Sequence, residues 1–256
     1  MIIDANASLG HWPFRHLQDS DADGFVRLMD AYAIAQAWVG SFEGIFYRDM
    51  GQANRMLAER AASHRDRLLP WATLNPAFPG WHHDLAVALD LGMVGVRLYP
   101  NYHGYELSDT CLTECLTAVA AASLPVAIYQ RVADERLHHW RCMVPPVEME
   151  LGLEPLVDRF PDLPLLWVGG TTPAVVSLAE VVRQGRVYVD TSRLEGIECV
   201  ARVVDAVGAD RVLFGSHAPF FYLEAALLKL TEAGLDRSTR AALLHRNATD
   251  VLAGAG

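Results

Sequence analysis

The stretch Asp4-Ala5-Asn6-Ala7-Ser8-Leu9-Gly10, at the end of the first apolar run, decides between two folds. A doubly wound open sheet places a G-x-G-x-x-G turn after its first strand, so that bare backbone can approach a pyrophosphate. Here only the last position is glycine, and the phosphate turn is missing. Beyond it, short runs rich in Val, Ile and Leu recur with helical periodicity between them, the pattern of repeated βα units around a buried parallel sheet.

Eight such runs are expected as strands: Ile2 to Ala5, Ala35 to Gly40, Leu68 to Leu74, Val94 to Tyr99, Pro125 to Gln130, Leu163 to Val168, Val187 to Asp190 and Val212 to Ser216. Helices are expected at Asp23 to Tyr32, Asn54 to His64, Trp81 to Leu91, Cys111 to Ala122, Pro173 to Gln184, Glu198 to Val207 and Phe221 to Ala233. The length of 256 residues suits one parallel (β/α)₈ TIM barrel, a fold that uses about 250. No linker or repeat divides the chain, so residues 1–256 are expected to form a single α/β domain. The irregular stretch Arg131 to Gly152, with Pro145-Pro146, would lie over the barrel mouth as a lid.

A formal charge of −10 without a basic tract argues against nucleic acid and anionic membranes as partners. The longest mostly apolar stretch, Leu116 to Tyr129, is broken by Ser123 and Pro125 and is shorter than the ~20 residues of a membrane span. The opening Met1-Ile2-Ile3-Asp4 has no secretory pattern, which predicts a cytoplasmic protein with reduced cysteines. A small-molecule substrate is the expected partner, and a homo-oligomer is left open.

In a parallel barrel, polar side chains at the strand C-termini face the mouth. Asn6, Ser8, His11 and Trp12 follow the first run; Arg97 and Tyr99 close the fourth, with Asn101, His103 and Tyr105 beyond. Tyr129, Gln130 and Arg131 close the fifth, Trp167 the sixth, Asp190 the seventh with Arg193 after it, and Ser216 and His217 the eighth. His217 is the candidate acid or base, because imidazole titrates near neutral pH; a hydrogen-bonded histidine beneath the loops is the alternative. Tyr129 and Tyr99, with Asn6 and Ser8, could donate to a developing oxyanion or simply fill space, and Asp190 would act with His217 and Tyr129. The guanidinium groups of Arg97, Arg131 and Arg193 suit a carboxylate, or pair internally with Asp190, Glu195 or Asp134. Trp12 and Trp167 would wall an aromatic mouth, and His103 would reach it from a polar loop.

These motifs resemble the amidohydrolase superfamily, in its amidohydrolase-related branch of metal-dependent hydrolases and decarboxylases. The resemblance spans nearly the whole chain. It rests on Ile3-Asp4-Ala5-Asn6-Ala7-Ser8-Leu9-Gly10, Gly95-Val96-Arg97-Leu98-Tyr99-Pro100, Leu124-Pro125-Val126, Gly169-Gly170, Arg211-Val212-Leu213-Phe214-Gly215-Ser216-His217 and Asn247-Ala248. The family's H-x-H metal ligands fall on Asn6 and Ser8, its later histidines on Tyr129 and Trp167, and its aspartate on His217. An amide, a hydroxyl, a phenol, an indole and one imidazole are a poor donor set for zinc, so no metal and no other cofactor is expected. A rebuilt site from His11, His103, His217 and Asp190, with His138-His139 nearby, is the competing arrangement. Lys229, the only lysine, lies after the eighth run, which excludes a Schiff-base lysine on a strand.

The resemblance implies a hydrolase of C–O or C–N bonds, or a decarboxylase, acting without metal on a small carboxylate-bearing or cyclic substrate. A non-catalytic barrel that binds a metabolite or partner is the alternative.

Overall fold

A computed structural model describes residues 1–134 and 139–254. The expected His138, and part of the expected lid, lie outside the described residues. Among the described residues nine parallel strands alternate with helices: β1 (Ile3–Leu9), β2 (Gln36–Ser41), β3 (Leu68–Pro70), β4 (Ala72–Thr73), β5 (Val96–Leu98), β6 (Val126–Tyr129), β7 (Leu165–Val168), β8 (Val187–Asp190) and β9 (Val212–Leu213). β1 to β3 form one hydrogen-bonded sheet and β4 to β9 another, each in sequence order.

Two seams join these sheets into the expected parallel barrel. The run Leu68 to Leu74 is one strand that changes partners at Trp71. Before it, Leu68 to Pro70 pair with β2; after it, Ala72 and Thr73 pair with β5. At the switch the Trp71 amide donates to the Val39 carbonyl (2.8 Å) and Val94 to that of Pro70 (3.0 Å). At the other seam, Ala5 donates to Phe214 (2.8 Å), His217 to Asn6 (2.7 Å) and Ser8 to Ala218 (2.9 Å). The last run is shorter than expected because His217 turns into the left-handed region (φ 58°). No helix among the described residues is long and apolar enough to cross a membrane.

Alternation along the strands sorts the side chains into two cores. Val96, Leu98, Val126, Ile128, Leu165, Val187, Val189 and Val212 meet the helices in the outer core. Trp38, Trp71, Tyr99, Ala127, Tyr129, Leu166, Val168, Tyr188 and Leu213 fill the inside of the ring. Trp167 belongs to the outer core, one position out of step with Leu166 and Val168, and so does not line the mouth as expected.

The helices follow the expected segments within a residue or two, except that the second begins earlier, at Met50, where Asp49 accepts from the Gln52 amide (2.8 Å). The helix Met149–Arg159 was not expected; it carries Pro155 in its interior, a residue whose missing N–H ordinarily argues against a helix. Ahead of it, Val147 donates to the Gln130 carbonyl (3.0 Å) and the Asn101 amide group to that of Pro145 (2.9 Å), which ties this half of the loop to the end of β6.

Arg97 is buried inside the ring. Its Nη1 donates to the Ala7 carbonyl (2.8 Å) and reaches Ser8 Oγ (3.4 Å), while Nη2 donates to the Trp38 carbonyl (2.6 Å). Room for this side chain comes from Gly40, where an added Cβ would stand 2.5 Å from Nη1 and 2.7 Å from Cδ. Gly40→Ala should cost about 1–3 kcal/mol by overpacking, and each kcal/mol lowers the melting midpoint of a chain this size by about 2–4 °C. Scanning calorimetry tests it; a midpoint equal to that of the unmodified chain would mean that Arg97 is not packed against β2.

Candidate functional site

Polar side chains from four strands meet at the C-terminal end of the barrel. Asn6, fully buried on β1, is the junction. Its Nδ2 donates to Asp190 Oδ2 (2.9 Å) and reaches Ser192 Oγ (3.4 Å), and its Oδ1 accepts from the Tyr129 hydroxyl (2.7 Å). Asp190 Oδ1 also accepts from the Gly169 amide (2.9 Å). Gly215 makes the approach feasible, since a Cβ there would stand 2.6 Å from Asp190 Oδ2 and 3.0 Å from Asn6 Cβ. Tyr99 lies against Tyr129 (ring centroids 4.6 Å apart), and the Arg97 guanidinium sits 5.5 Å from the Tyr129 ring centre. Burial pushes both phenols up from their ordinary pKa of 10.0, Tyr129 well above it, so both stay protonated as donors.

Several sequence expectations change here. His217 is buried, its Nε2 lies 2.6 Å from the Val132 carbonyl, and its ring stacks on Phe220 (5.0 Å, 11° between planes). Burial, then the charges of Arg193 and Arg97, lower its pKa to about 3. It is therefore neutral at pH 7 and does not titrate near neutrality. Arg97 holds the carbonyls described above. Arg193 donates to those of Val132 (3.3 Å) and Ala133 and lies 5.2 Å from the Phe221 ring centre. Arg131 lines a small pocket with Asn101, Tyr102 and Cys142.

The other candidates scatter. His11 is exposed and contributes its backbone amide to Glu43 Oε1 (3.1 Å). His103 turns its Nε2 to the Gly44 carbonyl (3.1 Å), and burial lowers its pKa to about 4. Trp167 donates to Gln130 Oε1 (3.1 Å). Of the four groups in the rebuilt metal arrangement, His103 and His217 thus turn their rings to the carbonyls of Gly44 and Val132, Asp190 faces Asn6, and His11 is exposed. No group of three His, Cys, Asp or Glu suited to a metal occurs among the described residues.

Trp12 does reach the mouth, as the centre of an aromatic plug. Its ring meets Phe42 (5.7 Å), Phe46 (5.1 Å) and Phe220 (4.7 Å). Above the plug, His139 and Cys142 of the loop after β6 enclose a cavity of about 230 Å³ with Trp12, Phe14 and Phe220. A larger cleft of about 970 Å³ lies on the other side of Phe220. Leu17 and Leu28 form one wall, Leu194 and Phe221 another; Ser192 and Lys229 also line it.

Three residues of the cluster and its surroundings were not among the expected site residues. Asp4, fully buried, accepts from the Ser216 hydroxyl (2.5 Å), the Ser216 amide (2.9 Å) and the Asn6 amide (3.1 Å), yet burial still raises its pKa to about 6. Ser192 connects Asn6 to the cleft. Lys229 donates to the carbonyls of Thr191 (2.9 Å), Ser192 (3.0 Å) and Leu194 (3.1 Å), holding the turn after β8. Asp4 lies inside the first apolar run's motif, and Ser192 stands two residues past a predicted strand, so position was the available signal for both.

A parallel barrel with a polar cluster at its strand C-termini is the architecture of a broad class of small-molecule enzymes. The chain belongs to one family within it: the family model "Amidohydrolase" matches residues 4–253. Among solved structures it is similar to the 5-carboxyvanillate decarboxylase of Sphingomonas paucimobilis (TM-score 0.76, 15% identity, 98% of both chains covered). It is also similar to a dihydroxybenzoic acid decarboxylase of a Polaromonas species with bound manganese and 2-nitroresorcinol (TM-score 0.74, 18% identity, 98% of this chain and 96% of that one). A third is a probable 2-pyrone-4,6-dicarboxylic acid hydrolase of Acinetobacter baumannii with bound citric acid (TM-score 0.68, 14% identity, 98% and 99%). Comparison with curated proteins by sequence gives no match.

The two buried titratable groups affect stability in opposite directions. Asp4, raised from 3.8 to about 6, keeps its proton in the fold while the unfolded chain loses it, so its contribution is full below pH 4 and falls as pH rises to 6. Asp4→Asn should therefore gain about 3 kcal/mol on the unmodified chain between pH 4 and pH 7. His217, lowered from 6.5 to about 3, resists protonation in the fold, so its contribution is lost as pH falls below 6.5. His217→Asn, which tolerates positive φ, should gain on the unmodified chain as pH falls. Urea unfolding at successive pH values reads both differences; parallel curves would refute the assigned titrations.

Proposed function

We propose that the chain is a hydrolase of C–O or C–N bonds, or a decarboxylase, of small carboxylate-bearing or cyclic molecules, and that it works without a metal at the family's ligand positions. The observation that carries this reading is the Tyr129–Asn6–Asp190 chain. Tyr129 and Asn6, at two of those positions, bond to each other and not toward a common point where an ion could stand. Asn6 has its other end on Asp190, and the one imidazole of the set faces a carbonyl. These residues do not fit a divalent cation, which takes deprotonated or lone-pair donors converging in a fixed geometry.

Two groups remain for chemistry. Asp190 is the acceptor that takes a proton from water attacking a carbonyl, and it returns that proton to the oxygen or nitrogen that leaves. Tyr129, protonated and beside Arg97, is the donor to the oxyanion formed in between. Asn6 orients both. His217 is a positioning residue that ties β9 to the loop after β6.

The second reading, a barrel that binds without turnover, is favoured by one observation: the network's hydrogen bonds are already made within the protein, and its members are almost wholly buried. Turnover of a panel of small lactones, amides and aryl carboxylates separates the two. The first reading expects a rate unchanged by exhaustive chelation and a drop of about 10²-fold or more in Asp190→Asn. Loss of activity on chelation with recovery on adding manganese would overturn the metal-free mechanism. Saturable binding without turnover across the panel would establish the second reading.

A further inference from the structure

The mouth of the barrel is closed by aromatic rings, and the polar network beneath it meets open space from the side. The Trp12, Phe42 and Phe220 rings lie edge to face at 4.7 to 5.7 Å, with Phe46 alongside at 5.1 Å, and a cavity of about 230 Å³ lies above them. Ser192, a neighbour of Asn6, lines the cleft of about 970 Å³ on the far side of Phe220. That volume lies at the upper end of the range for small-molecule sites. The cleft runs between the helix Ala22–Ala31, which supplies Leu28, and the helix Leu223–Glu232, which supplies Ala226 and Lys229. It is thus a lateral opening between the first and last βα units.

The lining also specifies the kind of ligand. Leu17, Leu28, Leu194, Phe221 and Leu223 provide apolar walls for a ring-sized body. At the deep end the Ser192 hydroxyl is the group offered to a ligand, and Asp190 stands behind it, joined through Asn6. Of the cations in the lining, the Lys229 ammonium is committed to three carbonyls, with the charges of Asp190 and Glu195 both acting on it, and the Arg15 guanidinium donates to the Phe220 carbonyl (3.1 Å). A carboxylate pushed to that end would face acids and find the cations already bonded. An uncharged oxygen would find a hydroxyl partner.

We infer that this lateral cleft is the ligand site, and that it takes an uncharged cyclic molecule with an apolar body and a hydrogen-bonding oxygen, such as a lactone, in preference to a carboxylate. The inference narrows the substrate class of the proposed function and rests on that reading only in calling the ligand a substrate; the site itself is tested by binding.

Isothermal titration of the full chain with coumarin, an uncharged aromatic lactone, and with benzoate decides it. Coumarin should bind saturably and benzoate at least about tenfold more weakly. Ala226→Phe and, from the facing wall, Leu28→Trp fill the cleft, and each should weaken coumarin about tenfold or more while Phe14→Ala, at the mouth, leaves it unchanged. The pair of wall variants keeps the test decisive if one of them fails to fold. No coumarin binding, equal binding of benzoate, or unchanged affinity in a folded wall variant would overturn the proposal. Binding without turnover would leave the site standing and remove the enzymatic reading; turnover with unaltered kinetics in the wall variants would do the reverse.

Discussion

A guanidinium inside a barrel sets the terms for everything around it. Removing an arginine from water is unfavourable by several kcal/mol, and the fold offsets this by giving the charge backbone carbonyls as partners. Arg97 meets those of Ala7 and Trp38, so one side chain on β5 fastens β1 and β2 across the interior. Gly40 has no side chain for that reason. Tyr129 and Tyr99 pack near this cation, and burial outweighs its pull so that their phenols keep their protons. The hydrogen bond from Tyr129 to Asn6, and with it the orientation of Asn6 toward Asp190, follows from this placement.

Asn6, Tyr129 and Asp190 form a hydrogen-bond network that closes on itself. Amide, phenol and carboxylate alternate as donor and acceptor, so each buried group has a partner, as burial demands. His217 joins the same economy: neutral, stacked on Phe220 and held by a carbonyl, it fastens a loop. The network makes a rigid floor, and Ser192 is where that floor reaches the cleft.

Much of the fold was legible in the sequence because period-two and period-3.6 patterns are local. The runs at Val126, Leu165 and Val187 could be found without knowing what they touch. Partner switching at Trp71 could not, since it depends on which neighbour's amides are nearest in the closed ring. The candidate site was legible in part: Asn6, Tyr129 and Asp190 were named, and they do meet. Trp167 was misplaced by a single step of strand parity, which sends a side chain to the opposite face. His217 was misread because residue type says what a group can do in water, whereas here burial against the Val132 carbonyl determines what it does. Asp4 went unnoticed because an acid at the start of an apolar strand looks like a motif letter until its burial is known.

The seam between β1 and the residues after β9 joins parts of the chain made at opposite ends of synthesis. Asn6 and Asp190 are 184 positions apart, and Asp4 and Ser216 are 212. During translation the outer edge of β1 must wait, with its amides unpaired on that side, until Phe214 and Ala218 have left the ribosome. The polar cluster cannot form before Asp190 has been made, so a ribosome that stops earlier releases strands and helices but no cluster.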